Sequence, residues 1–349
     1  MSADARRTPD GRGTPDDGRT PDDSGTASAG RRVLVTGGSG FLGSSVVPGL
    51  VADPGIALVV SGDIRDPGEH VRSSAPDHAV YVSLDVTDAD AVSRTVAEHR
   101  IDTIVHLASI VNPPPGMTDE VAYKVDVEGT CHVLAAALTH GVRRLIVSSS
   151  GAAYGYHADN PAWITEDQPA RGNDAFAYSR HKRLVEEMLA VARHEHPGLE
   201  QTVLRIGTIL GDRVDNQITD LFRKKRLLKI AGSDSPFVFV WDTDLTEIVV
   251  RAVTSDVTGI FNVAGDGALT IDEIAARLGR GTLPIPEIVL RTALAVAKPL
   301  GLTQYGPEQT KFLQYRPVLD NTRLTTVFGY EPAYTSAQAF DAWRAAQGL

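Results

Sequence analysis

The sequence lacks most features of secreted and membrane-spanning proteins. Its 349 residues include one cysteine, Cys131, which excludes an internal disulfide and fits a reducing, cytoplasmic location. No apolar run has the roughly 20 residues of a membrane-spanning helix, and the N-terminus has no apolar segment of the signal-peptide kind. The formal net charge of -10 argues against a broad affinity for nucleic acid or anionic membranes, so neither is expected as a partner.

Two further absences concern the N-terminal segment and the histidines. Residues 1–30 repeat "RTPDGRG", "TPDDGR" and "TPDDSG", in which Pro, Gly, Asp and Arg dominate and nothing can bury a core. This composition predicts a disordered tail. His106, His132, His140 and His181 show no metal-binding spacing, so no metal is expected.

From Arg31 onward, short apolar runs alternate with helical patterns. The runs are "RRVLVT", "IALVVSGD", "AVYVSLD", "DTIVHLAS", "RRLIVSSS" and "QTVLRIG", and the helical patterns cover Ala89–Glu98, Val121–His140 and Phe176–His194. Strands that alternate with helices predict a parallel sheet covered on both faces. The expected fold class is therefore α/β, a Rossmann-type doubly wound parallel sheet with a smaller C-terminal substrate lobe.

The regular alternation of apolar runs and helical patterns ends after Gly211, and this change predicts the domain boundaries. We expect a dinucleotide-binding domain over 31–211, to which 237–266 returns, and a substrate-binding lobe made of 212–236 and 267–349. Within the lobe, "NQITDLFRKKRLLKI" and the apolar stretch Pro286–Leu300 are expected to form helices.

A glycine-rich turn follows the first strand in "VLVTGGSGFLG". Gly37, Gly40 and Gly43 stand in a G-x-x-G-x-x-G pattern that opens a helix, with Phe41 and Leu42 between them. Such a turn lets the backbone approach a pyrophosphate, towards which the N–H groups of the helix point. The alternative is a strand–helix turn without a ligand, but its position at the start of an alternating α/β chain favours a dinucleotide site.

Carboxylates at the ends of the next two strands predict how the nucleotide is held. Asp63 can accept hydrogen bonds from an adenosine ribose and would repel a 2′-phosphate, which favours NAD over NADP. Arg65 would instead pair with such a phosphate, so NADP stays open as an alternative. Asp85 and Val86 are predicted neighbours of the adenine ring, although Asp85 also fits a helix-capping role.

A tyrosine and a lysine stand four residues apart in "AFAYSRHK". On a helix, this spacing places Tyr178 and Lys182 on one face, about a turn apart. The pair alone fits either a solvated helix face or a phenol placed beside a cation for proton transfer.

The ordered motifs decide between these alternatives through a resemblance. "TGGSGFLG", "GDIRD", "LDVTD", "VHLAS", "VEGT", "VSSSGAAYG" and "YSRHK" occur in this order. The chain resembles the extended short-chain dehydrogenase/reductases, the NAD-dependent epimerase/dehydratase family. The resemblance covers residues 32 to about 211 well and the remainder more loosely.

The resemblance implies roles for the residues of these motifs. Tyr178 would be the general acid/base, and Lys182 would lower its pKa and hold the nicotinamide ribose. Ser150 would bind the reacting oxygen of the substrate, with Ser148 and Ser149 as local competitors. A free phenol titrates near pH ~10, and a nearby ammonium and a positively charged nicotinamide ring both favour phenolate.

Further residues follow from the same resemblance. Leu107 and Ala108 would contact the cofactor, and Ser109 and Asn216 would contact the substrate. Asp126 departs from the family, which often has Asn at that position. The helices Val121–His140 and Phe176–His194 would be the usual dimer surface, so a homodimer is the expected assembly.

The substrate is not fixed by these motifs. The sugar-nucleotide 4,6-dehydratases have Asp-Glu after the catalytic threonine, whereas Gly151 and Ala152 follow Ser150, so dehydration is not expected. Phe237 stands where sugar-nucleotide epimerases usually have a diphosphate-binding arginine. The residues that could compensate for its absence are Arg213, the run "RKKR" at 223–226, and Arg316.

Three functions therefore stay open. The first is an oxidoreductase that transfers hydride at a secondary alcohol or ketone of a small, partly apolar metabolite. The second is a nucleotide-sugar epimerase, and the third is a non-catalytic dinucleotide sensor, against which Ser150, Tyr178 and Lys182 speak.

Overall fold

Seven parallel strands form the central sheet of the protein. The computed structural model describes residues 30–349 except 112, 115, 215, 304 and 305; the predicted disordered tail, apart from Gly30, lies outside these residues. The strands of the sheet are β1 (Arg31–Thr36), β2 (Ile56–Asp63), β3 (Ala79–Ser83), β4 (Thr103–His106), β5 (Arg144–Ser150), β6 (Glu200–Ile206) and β10 (Gly259–Val263). Their order is β10-β6-β5-β4-β1-β2-β3, and neighbouring strands pair in parallel. The predicted fold class is thereby confirmed.

Helices cover both faces of the sheet and build the lobe beyond it. They are α1 (Gly43–Val51), α2 (Glu69–Ser73), α3 (Ala89–Glu98), α4 (Asp119–Tyr123), α5 (Gly129–Thr139), α6 (Ala177–Glu195), α7 (Gln217–Phe222), α8 (Asp242–Thr254), α9 (Ile271–Arg277), α10 (Glu287–Ala297), α11 (Gln309–Gln314), α12 (Thr322–Thr326) and α13 (Ser336–Ala346). A short 3₁₀ turn, Gly151–Tyr154, follows β5. Among the described residues, none of these helices is both long and apolar enough to cross a membrane.

Two apolar layers hold the helices against the sheet. One layer joins the sheet to α3, α5 and α6 through residues such as Val96, Val133 and Leu189. The other joins it to α1, α8 and α12 through residues such as Leu50 and Ile248. Both layers bury β-branched strand residues, as expected for parallel strands covered on both sides.

Two pairs of short strands extend the fold towards the lobe. β7 (Thr208–Leu210) pairs with β9 (Phe239–Trp241), and β8 (Arg226–Ile230) pairs with β11 (Gly281–Ile285), both in parallel. The rings of Phe222, Phe237 and Phe239 contact one another within a separate apolar cluster beneath these strands.

Two predicted helices differ from the structure. The helix expected over "NQITDLFRKKRLLKI" ends at Phe222, and Arg226–Ile230 is a strand, because it pairs with a partner more than 50 residues away that local periodicity cannot reveal. The basic run "RKKR" therefore spans a turn and a strand start instead of a helix face. The helix expected over Val121–His140 is interrupted by a π-helical turn at Lys124–Glu128.

Candidate active site

A cavity of about 790 Å³ opens at the carboxyl ends of the central strands. In open parallel sheets, ligands bind at this edge, where the strand order reverses, here between β1 and β4. Every predicted site residue lines the cavity: Gly37, Gly40, Phe41, Leu42, Gly43, Asp63, Arg65, Asp85, Val86, Leu107, Ala108, Ser109, Ser150, Tyr178, Lys182, Asn216, Phe237 and Arg316. The fold thus brings together residues from across the whole described chain.

The glycine turn packs so closely that side chains are excluded from it. A Cβ on Gly43 would lie 2.2 Å from the carbonyl oxygen of Gly37, and one on Gly37, whose φ is +72°, would lie 2.8 Å from the nitrogen of Ala108. Helix α1 starts after Leu42 without a side-chain cap. The turn therefore presents uncapped backbone at a helix N-terminus, which suits an anion.

Asp63 ties the end of β2 to this turn. Its carboxylate, 8% exposed, accepts hydrogen bonds from the backbone nitrogens of Ser39 (3.0 Å) and Arg65 (2.8 Å). The Arg65 side chain is 64% exposed and approaches Asp63 at 3.5 Å. Asp63 thus stabilises the turn through hydrogen bonds and also lines the cavity. The Asp85 carboxylate similarly accepts hydrogen bonds from the backbone nitrogen and the hydroxyl of Thr87.

Ser150, Tyr178 and Lys182 line the same cavity. Tyr178 and Lys182 lie on α6, with the Lys182 Nζ 5.6 Å from the Tyr178 ring centroid and donating to the backbone oxygen of Ser148 at 2.9 Å. The competing serine hydroxyls are engaged elsewhere, since Ser149 donates to Glu186 at 2.5 Å and Ser148 donates to the backbone oxygen of His106 at 3.2 Å. Ser150 instead accepts from the Ala152 nitrogen at 3.2 Å, and its hydroxyl is the one that acts on the pKa of Tyr178.

Among the protein's own groups, burial dominates the electrostatics of this cluster. Burial raises the pKa of Tyr178 to about 12, while its hydrogen bond with Ser150 acts in the opposite direction and the charge of Asp126 adds to the rise. Burial also lowers the pKa of Lys182, which the charges of Asp126 and Glu186 partly offset. In the protein alone, these effects leave the Tyr178 pKa above its ordinary value, and the lowering by Lys182 that the resemblance implies stays a prediction.

The other side of the cavity is lined by later parts of the chain and is mostly apolar. Phe237 is buried, and the Arg316 guanidinium stacks on its ring at 3.7 Å from the centroid. Arg316 also donates to Ser235, and burial lowers its pKa to about 9. Leu290 and Leu294 of α10 complete the apolar wall.

Sequence reasoning missed one polar cluster beside the site. Asp126 is 3% exposed and accepts hydrogen bonds from Ser109, Ile110 and His181. The available signal is the position of His181 directly before Lys182 in "YSRHK", although His181 shows no metal-binding spacing. Within the described part of the chain, no group of three or more His, Cys, Asp or Glu side chains is placed to hold a metal ion.

Known proteins are similar to this chain in fold and, to a lesser degree, in sequence. The model of the NAD dependent epimerase/dehydratase family matches residues 33–264. An uncharacterised protein of Mycobacterium tuberculosis is 25% identical over 318 residues, covering 91% of this chain and 84% of that protein. The UDP-glucose 4-epimerase of Azospirillum brasilense is 33% identical over 185 residues, covering 53% of this chain and 51% of the epimerase.

Solved structures agree on the fold. The Bordetella bronchiseptica enzyme WbmG, crystallised with NAD, superposes with a TM-score of 0.69 at 20% identity, covering 93% of this chain and 96% of WbmG. The description of this family names NAD as the cofactor on which its members depend, which confirms the predicted cofactor for the family. The chain belongs to the NAD dependent epimerase/dehydratase family, an enzyme family with the extended short-chain dehydrogenase/reductase fold.

Proposed function

We propose that this protein is an NAD-dependent oxidoreductase that transfers hydride at a secondary alcohol or ketone, with Tyr178 as the general acid/base. The observation that carries the proposal is the convergence of Ser150, Tyr178 and Lys182 on the cavity that the glycine turn also lines. A solvated helix face would not bury the lysine to 6% exposure.

The residues present fit a dinucleotide. The glycine turn leaves no room for side chains, α1 has no capping side chain, and Asp63 faces the cavity from the end of β2. The pyrophosphate would lie against the start of α1, the adenosine ribose against Asp63, and the nicotinamide ribose against Lys182. When bound, the cofactor supplies the hydride acceptor or donor and, in its oxidised form, a positive charge.

The protein's own residues handle the proton. Ser150 orients the reacting oxygen, and Tyr178 takes the hydroxyl proton during alcohol oxidation or gives a proton to the carbonyl oxygen during reduction. Lys182, fixed by its bond to the Ser148 carbonyl, places its side-chain nitrogen beside this exchange.

The apolar wall favours a substrate with substantial apolar area. The side chains of Phe237, Leu290 and Leu294 offer no hydrogen bonds. A neutral cyclic or aromatic alcohol or ketone has little polar surface to desolvate, so its transfer from water into this cavity costs little free energy.

A second candidate is a nucleotide-sugar epimerase. Arg316 favours it, because this guanidinium lines the cavity, its hydrogen bonds go to Ser235 rather than to a carboxylate, and its Nε is buried without a partner. A diphosphate would supply the missing anion. The relative from Azospirillum brasilense, which is similar to about half of this chain, is a UDP-glucose 4-epimerase, which agrees with this candidate.

Two assays separate these candidates. The protein is mixed with NAD⁺ and 1-phenylethanol or cyclohexanol, or with NADH and acetophenone or cyclohexanone, and absorbance is followed at 340 nm. In parallel, UDP-glucose is incubated with the NAD-loaded protein and UDP-galactose is measured. We expect net change of NADH with an alcohol or ketone and no sugar interconversion. Interconversion without net NADH would select the epimerase, and NAD binding with neither reaction would select the sensor.

A further inference from the structure

A buried carboxylate stands between the substrate side of the cavity and a histidine. Asp126 lies in the π-helical turn between α4 and α5, a geometry often found at functional sites. One carboxylate oxygen accepts from the Ser109 hydroxyl at 2.9 Å and the Ile110 nitrogen at 2.7 Å, and the other accepts from His181 Nδ1 at 2.9 Å. Ser109 lines the cavity, so this carboxylate is one bond away from the cavity wall.

His181 continues this chain of hydrogen bonds towards solvent. Its side chain is 1% exposed, and its Nε2 lies 3.3 Å from the Asp119 carboxylate, which is 54% exposed. Arg180 bonds Asp119 and approaches the same ring nitrogen at 3.5 Å, and the Tyr123 ring meets the imidazole edge-on. Nε2 therefore has an acceptor in Asp119 when it carries a proton and a donor in Arg180 when it does not.

The hydrogen bonds and charges around Asp126 keep it ionised, so a proton that reaches it is readily passed on. Burial alone would raise its pKa, but the hydrogen bond from His181 and the charge of Lys182, with the bonds from Ile110 and Ser109, hold the pKa below its ordinary value. The carboxylate is thus ionised in the resting protein, and its buried partner His181 contacts the exposed Asp119.

We propose that Ser109, Asp126, His181 and Asp119 form a proton path between the cavity and the solvent. The inference rests on the proposed oxidoreductase function, because reduction of a ketone by NADH consumes one proton per turnover and alcohol oxidation releases one. An epimerisation, which returns its proton and hydride, has no such need.

The path moves one proton without leaving a charge behind. During reduction, Nε2 of His181 takes up a proton at the Asp119 side, and the Nδ1 proton passes to Asp126. This proton sits on the carboxylate oxygen that faces His181, so the protonated carboxyl turns to donate it to the Ser109 oxygen. The serine hydroxyl then releases its own proton into the cavity, where the final acceptor is the phenolate left when Tyr178 protonates the carbonyl oxygen. Alcohol oxidation runs the same steps in reverse.

The test measures proton uptake and hydride transfer together. The full-length protein is mixed with NADH and acetophenone or cyclohexanone in a weakly buffered stopped-flow, with phenol red for protons and 340 nm for NADH. In the His181→Gln variant, an amide N–H still anchors Asp126 but cannot carry a proton onward. We expect proton uptake and steady-state turnover to slow by about tenfold or more, the solvent isotope effect on kcat to increase, and NADH affinity and ketone KM to stay unchanged.

Two further variants keep the test decisive. Asp119→Asn, at an exposed position, should give a smaller slowing that added imidazole buffer relieves. His140→Gln is the control, since His140 bonds Ser93 away from the path. Wild-type proton uptake in both His181→Gln and Asp119→Asn would overturn the path while leaving the oxidoreductase intact. A wild type that binds NADH but oxidises it with neither ketone would overturn the proposed function, and the path with it.

Discussion

The nucleotide side and the substrate side of the cavity are built in different ways. On the nucleotide side, backbone groups of the glycine turn and strand ends make the surface, and added Cβ atoms at Gly37 or Gly43 would overlap neighbouring backbone. On the substrate side, long side chains from the lobe make the surface, including Leu290, Leu294 and Arg316. The first side tolerates one ligand shape, whereas the second can change its specificity through single side chains without a change of fold.

The largest expected effect lies where the two sides meet. Tyr178→Phe removes the proton-transferring hydroxyl but keeps the ring, so we expect turnover to fall about 10²–10⁴-fold, with NAD affinity nearly unchanged. Steady-state kinetics and calorimetric NAD titration measure both quantities. Wild-type turnover in this variant would remove Tyr178 from the proton transfer.

The next largest effect is expected on the nucleotide side, where Asp63 substitutions change cofactor affinity. Asp63→Ala removes the acceptor of two backbone N–H groups and a ribose acceptor, so NAD affinity should fall about tenfold or more. Asp63→Asn keeps an acceptor but loses the charge, so it should lose less NAD affinity and relax the bias against NADP. Both cofactors are titrated into the three proteins, and a wild type that prefers NADP would assign this role to Arg65.

The smallest effect tests the substrate side. Leu290→Gln places an amide in the apolar wall, which should raise the KM for acetophenone about tenfold and leave NAD binding intact. Val296→Gln on the same helix is the matched control, because Val296 is 59% exposed. Equal effects of the two substitutions would show that α10 does not form the wall.

The same contrast explains what the sequence could predict. The places of Gly37 and Asp63 at strand ends and the presence of the first six strands of the sheet were predictable, because local patterns specify turns and apolar runs. The strand Arg226–Ile230 was not, because its pairing with Gly281–Ile285 depends on distant sequence. The Asp126–His181 contact and the stacking of Arg316 on Phe237 were missed for the same reason, since each joins side chains that only tertiary packing brings together.

A positively charged cofactor on one side of the cavity is expected to prepare Tyr178 for proton transfer on the other. Burial holds the Tyr178 pKa at about 12, and a positive nicotinamide ring beside the phenol should lower it. The direct measurement is the tyrosinate absorbance at 295 nm against pH, taken as the difference between wild type and Tyr178→Phe, with NAD⁺, with NADH, and with neither. We predict that the difference signal appears below pH ~10 only with NAD⁺. The same titration curve in all three conditions would contradict the account.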